Sequence, residues 1–403
     1  MKELRIAAVL LLLVLGCGQP IASQQRLERL NGTTVPAGQV EASIQEIMQR
    51  AGVTGLSCAI INDSRVVYRR GFGLRDRSGG APNDEQTVFA AASFSKTVFA
   101  YLVMLLVEES VLDLDTPLQD YMGQPLAEHP RYTDLVGDDR AGRITARTVL
   151  SHTTGFPNWR FLRDDGRLVI LFEPGSRFSY SGEGIALLQM VVEQLTGRGL
   201  EELSRESIFG PLRMERTSYV WQAAFEANHA VPHDEYERPG RLRRRREAEA
   251  AGSMQSTADD YARFLVALLN PDPASAALVD SMLTPQIAVR SERMFGPGAW
   301  RDSDEEAGAP DLSWALGWGV FDSEAGKAFF HTGHDFGWQN YAVGYRDRGI
   351  GVVLMSSSDN FESVAREIAA VAIGDTYSPF DWLGYPRFDP DRRREPPPEP
   401  VAV

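Results

Sequence analysis

Lysine is nearly missing from this chain. Of 403 residues, 41 are Lys or Arg, and only Lys2, Lys96 and Lys327 are lysines, which leaves 38 arginines. A chain that uses arginine for almost every cation has kept a lysine at position 96. Arginine cannot shed its proton near neutral pH, whereas a crowded or desolvated lysine can. Positive charge is also short overall. The formal net charge of -14 argues against a nucleic-acid partner. Metal-binding constellations are lacking too. His229-x-x-x-His233 and His331-x-x-His334 have compatible spacing, but no carboxylate or cysteine cluster accompanies them and Pro232 interrupts the first as a helix. No metal and no cofactor are expected. There is no G-x-S-x-G turn, so an α/β-hydrolase triad has no motif behind it.

Cysteine is the other scarce residue, with Cys17 and Cys58 only. Lys2 and Arg5 flank a short apolar run, Ala7 to Leu15, which leads into Gly16-Cys17. The nine residues of that run fall well short of the roughly 20 that a spanning helix needs, so 1–16 reads as a targeting segment. Val14-Leu15-Gly16-Cys17 resembles the bacterial lipobox. That resemblance implies a lipidated Cys17 and an exported, lipid-anchored protein of the cell envelope; a plain secretion signal cut nearby is the alternative. Cys58, in the apolar run 55–61, is then left without a disulfide partner and reads as a small buried hydrophobe.

Residues 17–39 carry little periodicity and read as a tether. The far end, 381–403, is rich in Pro and Arg and reads as a tail, disordered from Asp389 onward. Between them, 40–50 reads as an amphipathic helix, and 55–61 and 66–73 as strands joined by the turn Asn62-Asp63-Ser64. Four more strands are expected at 314–322, 327–332, 339–346 and 350–356, with short links that make neighbours antiparallel, and a helix at 361–373. Residues 94–260 read as mostly helical and loop-like. The expected fold class is α/β (α+β). An antiparallel sheet is built from both chain ends (about 40–90 and 310–375), flanked by helices, with a helical lobe (about 94–260) inserted, all within one domain at 40–380. One basic run, Arg241-Leu-Arg-Arg-Arg-Arg246, sits between Pro239-Gly240 and Glu247. It reads first as a solvated loop and second as an anion-binding patch.

Three segments carry chemistry. Ser93-Phe-Ser-Lys96 opens the helix 97–107, which is apolar on every face and so belongs inside the protein. Positions i and i+3 share a helix face, so hydroxyl and amine can meet. Burial and the helix dipole both favour the neutral amine. Bringing a lysine from about 10.4 to about 7 costs roughly 4 to 5 kcal/mol, so a lysine placed there needs a purpose. The plainer alternative is a helix-capping Ser93 and a solvated Lys96. Tyr180, in Phe178-Ser-Tyr180-Ser-Gly182, stands at a loop-to-helix junction and can shuttle a proton. His331-Thr-Gly333-His334 ends one apolar strand, where a glycine allows close backbone approach and strand-edge amides can bind an oxyanion.

In this order the segments resemble the serine β-lactamase and penicillin-binding-protein superfamily, most closely its class C-like branch of β-lactamases, DD-carboxypeptidases, D-aminopeptidases and esterases. Val149-Leu-Ser-His-Thr-Thr-Gly-Phe-Pro157, Glu173-Pro-Gly175, Ala251-Gly-Ser-Met254 and Leu316-Gly-Trp-Gly319 are similar to that branch as well, and the likeness covers about 40–375. The resemblance implies a β-lactamase/transpeptidase-like fold and a serine hydrolase. It implies that Ser93 is the nucleophile, that Lys96 takes its proton, and that Tyr180 delivers a proton to the leaving group. The amides of Ser93 and His334 would form the oxyanion hole. His331, Thr332, Gly333 and Gly182 would line the substrate, a small molecule or a fragment derived from peptidoglycan.

One departure stands out. The family's usual Tyr-x-Asn is Tyr180-Ser181-Gly182 here. Glycine offers no amide to hold Lys96 or a substrate carbonyl, which tilts the expectation from β-lactams and D-Ala-D-Ala toward esters or an unusual D-amino-acid amide. Gln339 or Asn340 is a candidate to replace the amide. His331 stands where lysine is usual and carries less charge at neutral pH. A non-catalytic envelope lipoprotein that binds peptidoglycan or senses penicillin is the competing expectation.

Overall fold

The computed structural model describes residues 25–391 apart from 297 and 303–310. The targeting segment, Cys17 and most of the tail lie outside the described residues. In chain order, strands β1 (Arg26–Glu28) and β2 (Thr34–Pro36) lead into helix α1 (Ala37–Ala51). Strands β3 (Gly55–Asn62), β4 (Arg65–Asp76), β5 (Ala81–Pro82) and β6 (Phe89–Ala90) precede the central helix α2 (Phe94–Glu108). The inserted lobe holds α3 (Leu118–Met122), α4 (Ala146–Leu150), α5 (Gly182–Thr196) and α6 (Leu200–Ser204). Strand β7 (Gln255–Ser256), helices α7 (Ala258–Leu269) and α8 (Ala276–Met282) and strands β8 (Ile287–Ala288) and β9 (Ser313–Trp314) follow. The closing run is β10 (Gly319–Ser323), β11 (Gly326–Asp335), β12 (Trp338–Tyr345), β13 (Ile350–Ser356) and α9 (Ala365–Ile373).

Among the described residues, nine strands form one sheet in the order β5-β4-β3-β13-β12-β11-β10-β9-β8. The two chain ends do join: β3 pairs antiparallel with β13, Cys58 opposite Leu354. Asp63 and Ser64 both sit at positive φ between β3 and β4, as a two-residue hairpin turn requires. Strand alternation then sorts the side chains. On one face, Phe330, Tyr341, Val343 and Leu354 pack with Val40 and Ile44 of α1 and Ile368 of α9. On the other, Phe329, Ala342 and Val353 pack with α2, α5 and α7. Cys58 is fully buried, and burial pushes its thiol up to about 12.

The folded region starts earlier and ends later than the sequence pattern suggests. Residues 26–36 are not a tether. They form a hairpin whose Leu27, Leu30 and Val35 are buried, and the Leu30 amide donates to the Ile373 carbonyl. Nor does the tail begin at 381, because Trp382, Leu383 and Tyr385 are buried against the α1/α9 face. The strand expected at 314–322 is two strands, broken at Gly317 (φ +87), where a Cβ would lie 2.4 Å from the Cβ of Ala100 on α2. The closing helix begins at Ala365, after a 3₁₀ turn at Phe361–Ser363.

Candidate active site

Ser93 is delivered by a strained turn. The Ala91 amide donates to the Met254 carbonyl where β6 meets β7, and Ala92 then takes φ +47 without being a glycine. Such a backbone costs on the order of 1–3 kcal/mol and persists where the surroundings over-determine it. Here they do. Ser95 Oγ accepts from the Met254 amide, Tyr219 Oη donates to the Ser95 carbonyl, and Phe94 stacks on Tyr261 at 4.1 Å. Ser93 makes no side-chain capping bond to α2, so its hydroxyl is available for another role.

That hydroxyl accepts from Lys96 Nζ at 2.9 Å. Nζ also donates to the Ala251 carbonyl at 2.5 Å. The 248–251 segment is held by Gln189 of α5, whose amide group donates to the Ala248 carbonyl and accepts from the Ala250 N–H. Lys96 is 2% exposed, and burial lowers its amine to about 7. Ser93 itself is partly exposed. The pair therefore joins a dry amine to a hydroxyl that a ligand can reach.

Tyr180 closes the crevice on the α5 side, with Lys96 Nζ 5.1 Å from its ring centroid. Its hydroxyl is buried and, among the described residues, closes no hydrogen bond. Burial pushes the phenol well above its ordinary value, and the nearby Ser93 hydroxyl offsets only part of that. The ring is boxed in by His152 at 4.3 Å, Phe295 at 5.2 Å and His331 at 6.1 Å. His152 escaped the sequence reading as a site residue, although it lies in a segment similar to the family. It is buried at φ +54, and its Nδ1 accepts from the Ser181 amide, which fixes a neutral tautomer with the proton on Nε2. Burial, then the Lys96 charge, hold both His152 and His331 below the usual imidazole range, His331 at about 3.

Gly182 is filled by a neighbour. A Cβ there would lie 2.4 Å from the Trp159 ring, so the indole occupies the space that a side chain at position 182 would fill. Two clamps hold the ring. The Gly182 amide donates to both oxygens of Asn158, and Arg160 forks onto Glu183 at 3.0 and 2.9 Å. Trp159 stacks on Phe161, which is 70% exposed beside Leu162 at 68%. Trp159 is a second residue the sequence reading missed.

Strand β11 supplies the opposite edge. His331 is fully buried, its Nδ1 against the Thr332 carbonyl and its Nε2 without a partner among the described residues. Gly333 lets the strand approach Ser93: a Cβ there would lie 2.6 Å from the Ala91 carbonyl oxygen. Thr332 does not join the group. Its hydroxyl donates to the Asn340 carbonyl and meets the Tyr385 hydroxyl on the α1/α9 face. Alternation along a strand puts it on the side opposite His331 and Gly333. The His334 side chain points outward to Glu362, which raises its imidazole, while its backbone lies beyond Phe330, where pairing with β10 stops. Neither amide candidate replaces the missing one. Gln339 is bonded to Asp359 and Glu362, and Asn340 donates to the Ala90 carbonyl at 3.1 Å. His229 and His233 stay apart from the site, on the carbonyls of Phe225 and Ser357.

A buried near-neutral amine on an accessible hydroxyl, with a protonated phenol beside it, suits acyl transfer. The chain is similar to several known proteins. The chain is 27% identical to the esterase EstB of Burkholderia gladioli over 342 residues, covering 70% of this chain and 84% of that protein. It is 25% identical to penicillin-binding protein 4 of Amycolatopsis lactamdurans, covering 81% and 89%. Among solved structures, a class C β-lactamase from Rhodobacter sphaeroides aligns with a TM-score of 0.65 at 19% identity, over 83% of this chain and 98% of that one. The family model described as Beta-lactamase matches residues 40–375, which takes in every residue of the crevice, and the chain belongs to that family.

Proposed function

We propose that this chain is an exported serine hydrolase that forms an acyl-enzyme at Ser93 and acts on esters in preference to β-lactams. The observation that carries the reading is the 2.9 Å contact between Ser93 Oγ and a lysine amine lowered to about 7 by burial. Neutral Lys96 takes the hydroxyl proton as Oγ bonds to the substrate carbonyl carbon. The oxygen of that carbonyl becomes an oxyanion, met by the backbone amides of Ser93 and His334; one such donor is worth about 10²- to 10³-fold in rate. The carbonyl reforms, the bond to the leaving oxygen breaks, and Tyr180 gives that oxygen a proton, which Lys96 restores. Water then repeats the sequence on the acyl-enzyme and frees the acid.

The ester preference rests on two side chains. Trp159 fills the place of the amide that would hold a lactam's side-chain carbonyl, and neutral His331 gives a substrate carboxylate no charge. Export and lipid anchoring rest on the 1–17 segment alone. A fluorophosphonate probe should label the purified protein covalently, and Ser93→Ala should abolish both labelling and turnover of p-nitrophenyl butyrate. Labelling that survives Ser93→Ala would refute the assignment. Absence of any turnover would favour the non-catalytic binding protein instead.

A further inference from the structure

The run 241–246 is exposed and irregular, but it is not a loose loop. Leu242 packs against the core, the Arg245 carbonyl accepts from the Trp221 amide at 2.7 Å, and Arg244 forks onto Glu226 at 2.7 and 2.9 Å. These anchors fix the backbone and leave other arginines to face outward. Arg245 has only long ion pairs, 3.7 Å to Glu249 and 3.9 Å to Asp335. Arg241, Arg243 and Arg246 have no carboxylate partner among the described residues. Together the five arginines line a cleft of about 930 Å³.

The cleft is not lined by Ser93 itself, but residues adjacent in the chain to the crevice do line it. Its other walls are Ala90, Gly252 and the β11–β12 hairpin at Asp335 and Phe336. Each neighbours part of the crevice. Ala90 precedes the strained turn, Gly252 follows the carbonyl that holds Lys96, and Asp335 follows His334. The chain as a whole is acidic, with a formal net charge of -14, so this cluster of five arginines stands out as a place where an anion meets an attractive field. Guanidinium groups match the planar fork of a carboxylate or the oxygens of a phosphate. Neutral His331 leaves that task unfilled inside the crevice.

We infer that the arginine cleft binds an anionic group of the substrate, a carboxylate or a phosphate, so that the preferred ester carries a negative charge. The inference rests on Ser93 being the nucleophile. The experiment compares matched esters on the full chain. One pair is the mono-p-nitrophenyl ester of glutaric acid against p-nitrophenyl valerate, with the charge on the acyl side. The other is the acetate ester of a hydroxynitrobenzoate against that of the matching benzamide, with the charge on the leaving side. One anionic ester should exceed its neutral twin in kcat/KM by about tenfold, mainly through KM, equivalent to about 1.4 kcal/mol. The combined variant Arg241→Gln, Arg243→Gln, Arg246→Gln should erase that ratio. In the native chain, added salt should lower it through screening, which needs no variant to fold. Equilibrium dialysis of the anionic esters against Ser93→Ala reads binding without turnover, so a failure of the nucleophile assignment stays distinguishable from a failure of this one. Inorganic phosphate competing with the bound ester would place a phosphate in the same cleft. A ratio near one for both pairs, or a ratio untouched by salt and by the arginine variant, overturns the inference. So does an arginine variant that loses only its adhesion to phosphatidylglycerol vesicles.

Discussion

Two regions of the molecule have opposite character, the Ser93 crevice and the arginine cleft. In the crevice Tyr180 packs against His152 and Phe295, Trp159 fills the space beside Gly182, and both imidazoles near Lys96 are held neutral. Elsewhere five arginines line a cleft of their own. The difference explains how an arginine-rich protein keeps a neutral amine. Burial alone lowers Lys96, and no arginine charge contributes. The arginines are solvated, and water and salt screen them beyond about 10 Å. The lysine amine thus sits in a dry crevice, while the arginine charge is confined to a solvated cleft.

Reciprocal swaps of cation would break this contrast, and the largest effect falls on the dry side. Lys96→Arg puts a permanent cation where a neutral amine is needed, so kcat/KM on a neutral ester should fall by about 10²- to 10⁴-fold, the usual worth of a general base. The pH profile gives a second check. The active form carries the neutral amine, so in the native protein kcat/KM should rise with pH and level off above about 7. A limb governed by His331 would instead lie near 3. A profile flat between pH 5 and 8, or a Lys96→Arg variant near native rate, would remove Lys96 as the base.

The aromatic wall can be re-cut at one atom. Gly182→Asn drives a Cβ into the Trp159 ring, 2.4 Å away, and the clamps on Asn158 and Arg160 resist its movement. Overpacking of this kind costs about 1–3 kcal/mol, and where the active geometry bears that cost ester turnover should fall by up to about 5- to 140-fold. Adding Trp159→Ala should restore most of it and raise the rate on nitrocefin relative to p-nitrophenyl butyrate, because an amide now faces the crevice. Failure of the second change to rescue the first would mean that the indole is not what fills the amide's place.

Much of this was legible in the residues. The spacing of Ser93 and Lys96 on an all-apolar helix gives both their contact and the burial of the amine, because i and i+3 share a face whatever surrounds them. The turn-rich links gave the antiparallel neighbours. Thr332 was misplaced against the substrate: strict alternation along the strand sends it away from His331, onto Tyr385. Three features were not legible. The hairpin 26–36 has strands of three residues, too few for a period of two to stand out. Trp382 and Tyr385 are buried next to a segment whose composition masks them. The meeting of Trp159 with Gly182, and of the 241–246 run with Ala90, Gly252 and Asp335 around one cleft, depends on chain crossings that no local pattern encodes.

The smallest effect is expected from the mirror-image swap on the wet side, Arg243→Lys. Arg243 is exposed and its backbone is held by neighbours rather than by its own side chain. A lysine there keeps the charge, and in water it stays protonated, because the desolvation that lowers Lys96 is absent. What is lost is the planar fork. An exposed ion pair is worth about 0.2–1 kcal/mol, so kcat/KM on the anionic ester should change by less than about fivefold, and on the neutral ester by less still. Arg243→Glu at the same position should cost more than Arg243→Gln on the anionic ester, since repulsion then replaces attraction. If lysine and glutamine were equally harmful, the geometry of the guanidinium would matter more than its charge. The arginine cleft would then be a shaped pocket, like the Ser93 crevice, rather than a field.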